Sequence, residues 1–146
     1  MVPELKLEGV RFRVHRGGDL RASGEAEVAT LRRDSTELRA KDLAAVLTRS
    51  ASPLRITAPA GEGVLSSRAF SAQGGVTIAR GSDVARTERA RYEPGPRGGQ
   101  VVGDDPITVD GPSYRLVGTG FTLDPATAEL AIRGGARLVA GGGERR

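Results

Sequence analysis

Few residues in this chain have chemical reach, and their surroundings limit what they can do. His15 is the only histidine. One imidazole cannot make a multi-histidine metal site. Its place on the polar phase of the first strand, beside Arg13 and Arg16, reads as a solvated residue rather than a catalytic base. Asp104-Asp105 has the oxygen chemistry for a cation or for acid–base work. The pair stands directly before Pro106 and an apolar alternation, which predicts a turn. Gly118-Thr-Gly-Phe121 and the pair Gly134-Gly135 have the texture of phosphate-cradling loops. Those loops need a helix behind them, and none is predicted, so a β-bulge or close backbone packing fits better. No disulfide, thiolate metal site or cysteine nucleophile is available, because the chain has no cysteine. The expectation is no catalytic residue, no metal, no cofactor and no enzymatic activity.

The net charge of +4 and pI near 10.3 raise the question of nucleic acid. Nearly all the cations are arginines, spread along the polar phases of strands: Arg11 and Arg13, Arg55, Arg133 and Arg137. A solvated outer face explains that spacing. The five aromatics, Phe12, Phe70, Tyr92, Tyr114 and Phe121, are too scattered for a base-stacking platform. Nucleic acid is therefore not the expected partner; attraction to an anionic lipid or a phosphorylated sugar stays open.

What positions these residues is a pattern of period two. Leu54, Ile56 and Ala58 oppose Arg55 and Thr57; Val76 and Ile78 oppose Thr77; Ile107 and Val109 oppose Thr108 and Asp110. This is the mark of strands with one buried and one wetted face. Turn signals recur throughout, at Gly17-Gly18-Asp19, Arg33-Asp34-Ser35, Ser50 to Pro53, Pro59 to Gly63 and Gly81-Ser82-Asp83. More follow at Pro94 to Gly99, Asp104-Asp105-Pro106, Asp110-Gly111-Pro112 and Asp124-Pro125. Many short strands between regular turns predict a sandwich, barrel or solenoid. The apolar phase slips by one residue across Gly9 and across Gly118 to Gly120, which predicts bulged, bent strands. Glu37 to Leu47 has helical propensity. Its alternation, slipping between Ala40 and Leu43, reads as a bulged strand instead. Ala22 to Val28, Ala72 to Ile78 and Ile132 to Leu138 echo one another, as repeated hairpin units would. Residues 1–146 are read as one domain, with no run of membrane-spanning length and no signal peptide at Met1-Val2-Pro3.

From Gly74 onward the motifs fall in an order that resembles a known family. They are Gly75-Val-Thr-Ile78, Ala90-Arg-Tyr92, Asp105-Pro-Ile-Thr-Val109, Gly118-Thr-Gly-Phe121 and Glu129 to Leu138. The run is similar to the periplasmic β-jellyroll of the lipopolysaccharide-export bridge, the LptC family within the LptA/LptC/OstA-like group. The match covers about the second half of the chain; the first half agrees only in strand-and-turn texture. The resemblance implies an all-β fold, an open, twisted antiparallel β-jellyroll. It also implies a non-enzymatic component of the lipopolysaccharide transport bridge in the periplasm. An apolar groove would shield lipid A acyl chains, and terminal edge strands would dock onto LptA-like jellyrolls and inner-membrane transporter subunits. The family's N-terminal membrane anchor is absent from this sequence, which leaves a full-length anchored form open.

On this chain the groove is expected along Ile56, Phe70, Val76, Ile78, Ile107, Val109, Leu116, Phe121, Leu123 and Ile132. The partner edge is expected at Leu130, Ile132, Ala136 and Leu138, which also permits an edge-paired homo-oligomer. From the residues alone, an ordinary closed core is the simpler account of these aliphatics; the resemblance turns the balance. The alternative from another class is a self-stacking, β-solenoid or adhesin-like structural module with no lipid ligand.

Overall fold

The computed structural model describes residues 4–16, 19–32, 34–47, 53–67, 69–95, 99–124, 127 and 129–140, with the side chains of 14–16 and 19–22 excepted. Among these, nine strands account for nearly all of the chain. They are β1 (Glu4–Arg16), β2 (Asp19–Arg32), β3 (Glu37–Leu47), β4 (Leu54–Val64), β5 (Ala69–Arg80), β6 (Asp83–Glu93), β7 (Gln100–Gly111), β8 (Tyr114–Asp124) and β9 (Glu129–Ala140). They form one antiparallel sheet in sequence order, each strand beside its chain neighbours, with β1 and β9 as free edges. Glu37–Leu47 is strand, its propensity overridden by pairing on both sides.

The strands run 11 to 14 residues, longer than the usual five or six or so, because each crosses a common crease. The pairing register skips Gly9 and Glu27, then Asp42 and Pro59. It breaks at Gly74-Gly75 against Glu88, at Asp104-Asp105 against Gly120, and again at Gly135-Ala136 against Gly118. Those interruptions lie side by side across all nine strands. Asp42 (φ 54°) and Gly74-Gly75 (φ 89° and 106°) take left-handed backbone there, a conformation that glycine adopts freely and aspartate tolerates. Pro59 sits in the same line, where a missing N–H costs no ladder bond.

Two expected turns are thereby corrected. Pro59 to Gly63 lies inside β4, and Asp104-Asp105-Pro106 lies inside β7. A crease needs the same turn-forming residues as a hairpin, so local chemistry does not separate the two. The signals at Gly81-Ser82, Asp110 to Pro112 and Asp34-Ser35 do lie at hairpins. Gly17-Gly18, Arg33, residues 48–52, Pro125 and the His15 side chain fall outside the described residues.

On either side of the crease the sheet makes two arms, and the register lines up apolar rows on their inner faces. In the first arm one row runs Leu5, Leu31, Leu38, Gly63, Phe70, Tyr92, Val101, Leu123, Leu130, each residue paired with the next. In the second arm a row runs Phe12, Gly24, Ala45, Ile56, Ile78, Ala85, Val109, Leu116, Leu138. The phase slips at Gly9, at Asp42 and across Gly118 to Gly120 keep the apolar side inward in both arms. Phe121, Ile107 and Val76 are buried to 2% exposure or less, and they sit in one cluster with residues of both arms.

All five aromatic rings lie over a glycine, four of them on a directly paired residue. Phe12 covers Gly24, Phe70 covers Gly63, Phe121 covers Gly103 and Tyr114 covers Gly111, while Tyr92 lies against Gly99. A methyl group on any of those glycines would overlap the ring, so bare backbone forms the seat that each ring packs on. The chain exposes 8740 Å², against about 7,100 Å² for a compact monomer of this mass.

Candidate functional site

Between the arms lies a cavity of about 160 Å³ that opens to solvent. From the second arm come Leu54, Ile78, Ala85, Ile107 and Val109; from the first come Phe121, Leu123 and Leu130. The rim is polar, made by Arg80, Asp83 and Tyr114. Tyr114 Oη donates a hydrogen bond to Asp83 Oδ1 at 3.1 Å. Burial first, and then the neighbouring Asp83 carboxylate, push the Tyr114 hydroxyl above its ordinary range, so it remains a donor at neutral pH.

All ten residues expected to line a groove lie on the inner faces, but they do not form one accessible surface. Ile78, Ile107, Val109, Phe121 and Leu123 line the cavity. Val76 is packed away at 1% exposure. Ile56, Leu116 and Ile132 are half-buried against the same core, and Phe70 is half-buried over Gly63. Leu130, expected on the partner edge, also walls the cavity. Sequence reasoning missed Leu54, Arg80, Asp83, Ala85 and Tyr114. One signal was there to be read: Arg80 is two residues beyond Ile78, and Asp83 two before Ala85, so both charges occupy the inward phase.

The outer face carries ion pairs that span β6, β7, β8 and β9. Arg89 grips Asp105 through two bonds of 2.9 Å. Arg91 reaches Glu93 at 2.9 Å and Asp104 at 3.0 Å. Arg133 donates to Asp104 and to the Gly103 carbonyl. Further along, Arg115 and Arg86 share Asp110, at 2.7 and 3.5 Å. The hydrogen bonds from these arginines hold Asp104, Asp105, Asp110 and Glu93 below the usual carboxylate range. Asp104 and Asp105 thus strap the bulge where β7 is creased. Among the described residues no group of three or more His, Asp or Glu is placed to hold a metal ion, and no helix is long and apolar enough to cross a membrane.

Among the described residues no strand pairs beyond β1 or beyond β9. Leu5 and Leu7 on β1 are 39% and 38% exposed, and Leu138 and Val139 on β9 are 62% and 56% exposed. The expected edge residues Leu130, Ile132, Ala136 and Leu138 therefore do lie on a terminal strand of the sheet. With nine strands, β1 and β9 run the same way across the crease. Head-to-tail stacking of two copies with arms aligned must pair β9 with β1 in parallel; joining two β9 edges gives an antiparallel pair. No family model and no curated protein sequence matches this chain.

Proposed function

We propose that this chain is a non-enzymatic lipid-carrying module, a component of a lipopolysaccharide transport bridge in the periplasm. It shelters acyl chains between the two arms of its creased sheet and docks edge to edge with neighbouring jellyrolls. One observation carries the reading: a single apolar inner face, folded around a solvent-open slot, in a sheet whose two terminal edges are left unpaired. Burying each acyl methylene contributes about 0.8 kcal/mol. Contact with several methylenes holds a chain, while the absence of a polar trap deep in the slot lets it move on. The ordered motifs from Gly75 to Leu138 resemble the LptC family, and they supply the lipid and the partners in this proposal. An open edge strand with exposed Leu138 and Val139 suits β-augmentation.

The same open edges favour a second reading, self-stacking as a structural module without lipid. A photo-crosslinking residue in place of Leu130 or Ile78, both in the cavity wall, separates the two. Capture of lipopolysaccharide there, well above capture from Arg55 on the outer phase, supports the carrier. Equal capture at all three sites, with long filaments of the purified chain under the electron microscope, supports the structural module instead.

A further inference from the structure

Charged residues do not belong on the inner phase of a sheet, yet two occur there at one spot. Along β5 the inward residues run Val76, Ile78, Arg80; along β6 they run Asp83, Ala85, Thr87. Arg80 and Asp83 face each other in register across the Gly81-Ser82 turn. A salt bridge between them would be the expected outcome, but none forms. The Asp83 carboxylate is turned to Tyr114 Oη at 3.1 Å, and Arg80 has no ion pair among the described residues. Arg86, Arg89, Arg91, Arg115 and Arg133, on the strands that follow, are all paired with acids. Arg137 on β9 also has no ion pair among the described residues, but it lies on the outer phase; Arg80 is the arginine without an acidic partner among the described residues that stands on the rim of the apolar cavity.

Taking the space between the arms as the lipid slot proposed above, we propose that this cavity is a socket for one chain end of a phosphate-bearing lipid, with Arg80 recognising the phosphate. Size sets the number of chains. A cavity of roughly 150 Å³ takes a single small apolar group such as benzene, so about 160 Å³ holds about six carbons of one chain, those nearest the phosphate, and not several chains. Charge sets the head. A guanidinium offers a fork of N–H donors matched to phosphate oxygens. Asp83 stands on the same rim and opposes an anion. Its bond to Tyr114 keeps it aimed at the phenol, leaving the Arg80 side of the mouth to the phosphate.

The test uses the full chain, with decyl phosphate, decanol and inorganic phosphate as probes, read by methyl NMR shifts of Ile78 and Ile107. The expected result is that decyl phosphate binds about fivefold more tightly than decanol, the scale of one solvent-screened, charge-assisted contact. Arg80→Gln should erase that preference and leave decanol binding unchanged, and Arg80→Lys should restore part of it. Asp83→Asn should tighten decyl phosphate alone, by about twofold, by removing a nearby like charge. Equal affinity for the two amphiphiles in the unmodified chain overturns the phosphate role while leaving the carrier reading intact. Equal weakening of both by Arg80→Gln would mean that Arg80 only shapes the cavity, and it overturns the proposal too. Inorganic phosphate that competes as well as decyl phosphate would reduce the site to a free-anion site. No shift with either amphiphile sinks the socket and the carrier together.

Discussion

Phe121 is the residue whose removal most directly tests the two-armed interior. It is fully buried at 0% exposure, it is seated on Gly103, and it lines the cavity from the first arm. Phe121→Ala removes a ring whose burial is worth about 2 kcal/mol in transfer free energy. If the arms do not collapse, it also leaves about 100 Å³ of new void, at about 24 cal/mol per Å³ another 2.4 kcal/mol or so. The sum, about 4 kcal/mol, is within the range for buried Phe→Ala changes and a large part of the stability expected for a chain this size. Because the new void merges with an open cavity, water or partial closure of the arms offsets some of it, so about 3 kcal/mol is the lower expectation. Urea unfolding followed by far-ultraviolet circular dichroism measures the difference. An exposed edge residue gives the internal control: Leu138→Ala should cost less than about 0.5 kcal/mol. A loss below about 1 kcal/mol for Phe121→Ala would refute the reasoning, since the ring would then not be held between two arms.

Four further outcomes are expected. Gly103→Ala pushes a methyl group into the Phe121 ring and toward the Arg89 carbonyl at 2.9 Å, and should cost about 1–3 kcal/mol. Gly134→Ala, whose nearest neighbour is 3.4 Å away, should stay within about 0.5 kcal/mol in the same urea assay. The straps at Asp104, Asp105 and Asp110 should weaken in acid. Their folded-state values are depressed, so their stabilisation is complete above the unfolded aspartate value of about 3.9 and is lost as pH falls through the lower folded values. Melting temperature should therefore hold down to about pH 4 on account of these groups and fall below it, and Asp104→Asn should flatten that fall. Finally, Leu138→Lys with Val139→Lys should abolish edge-mediated association while leaving the melting temperature nearly unchanged; undiminished association by analytical ultracentrifugation would exclude β9 as the docking edge.

Much of the fold was legible because strand alternation is written residue by residue. The slip at Gly9, the slip between Ala40 and Leu43, and the slip across Gly118 to Gly120 each identify a bend from local phase alone. Pro59 and Asp104-Asp105 were misread as turns for the same local reason: a crease and a hairpin recruit the same residues. The candidate site was only half legible. Ile78, Ile107 and Phe121 are apolar and inward, and periodicity finds them. Nothing in their spacing separates Val76, packed shut, from Ile78, which faces the cavity.

By itself, the amino-acid pattern determined which side of each strand is apolar and where each strand bends, since both follow from backbone geometry over a few residues. The tertiary structure alone decided that the bends align into one crease, that the two arms then face each other, and that Arg80 and Tyr114 meet at the mouth of the space between them. Those facts depend on pairing register between strands. Register is set by contacts across the sheet, and no single strand contains it.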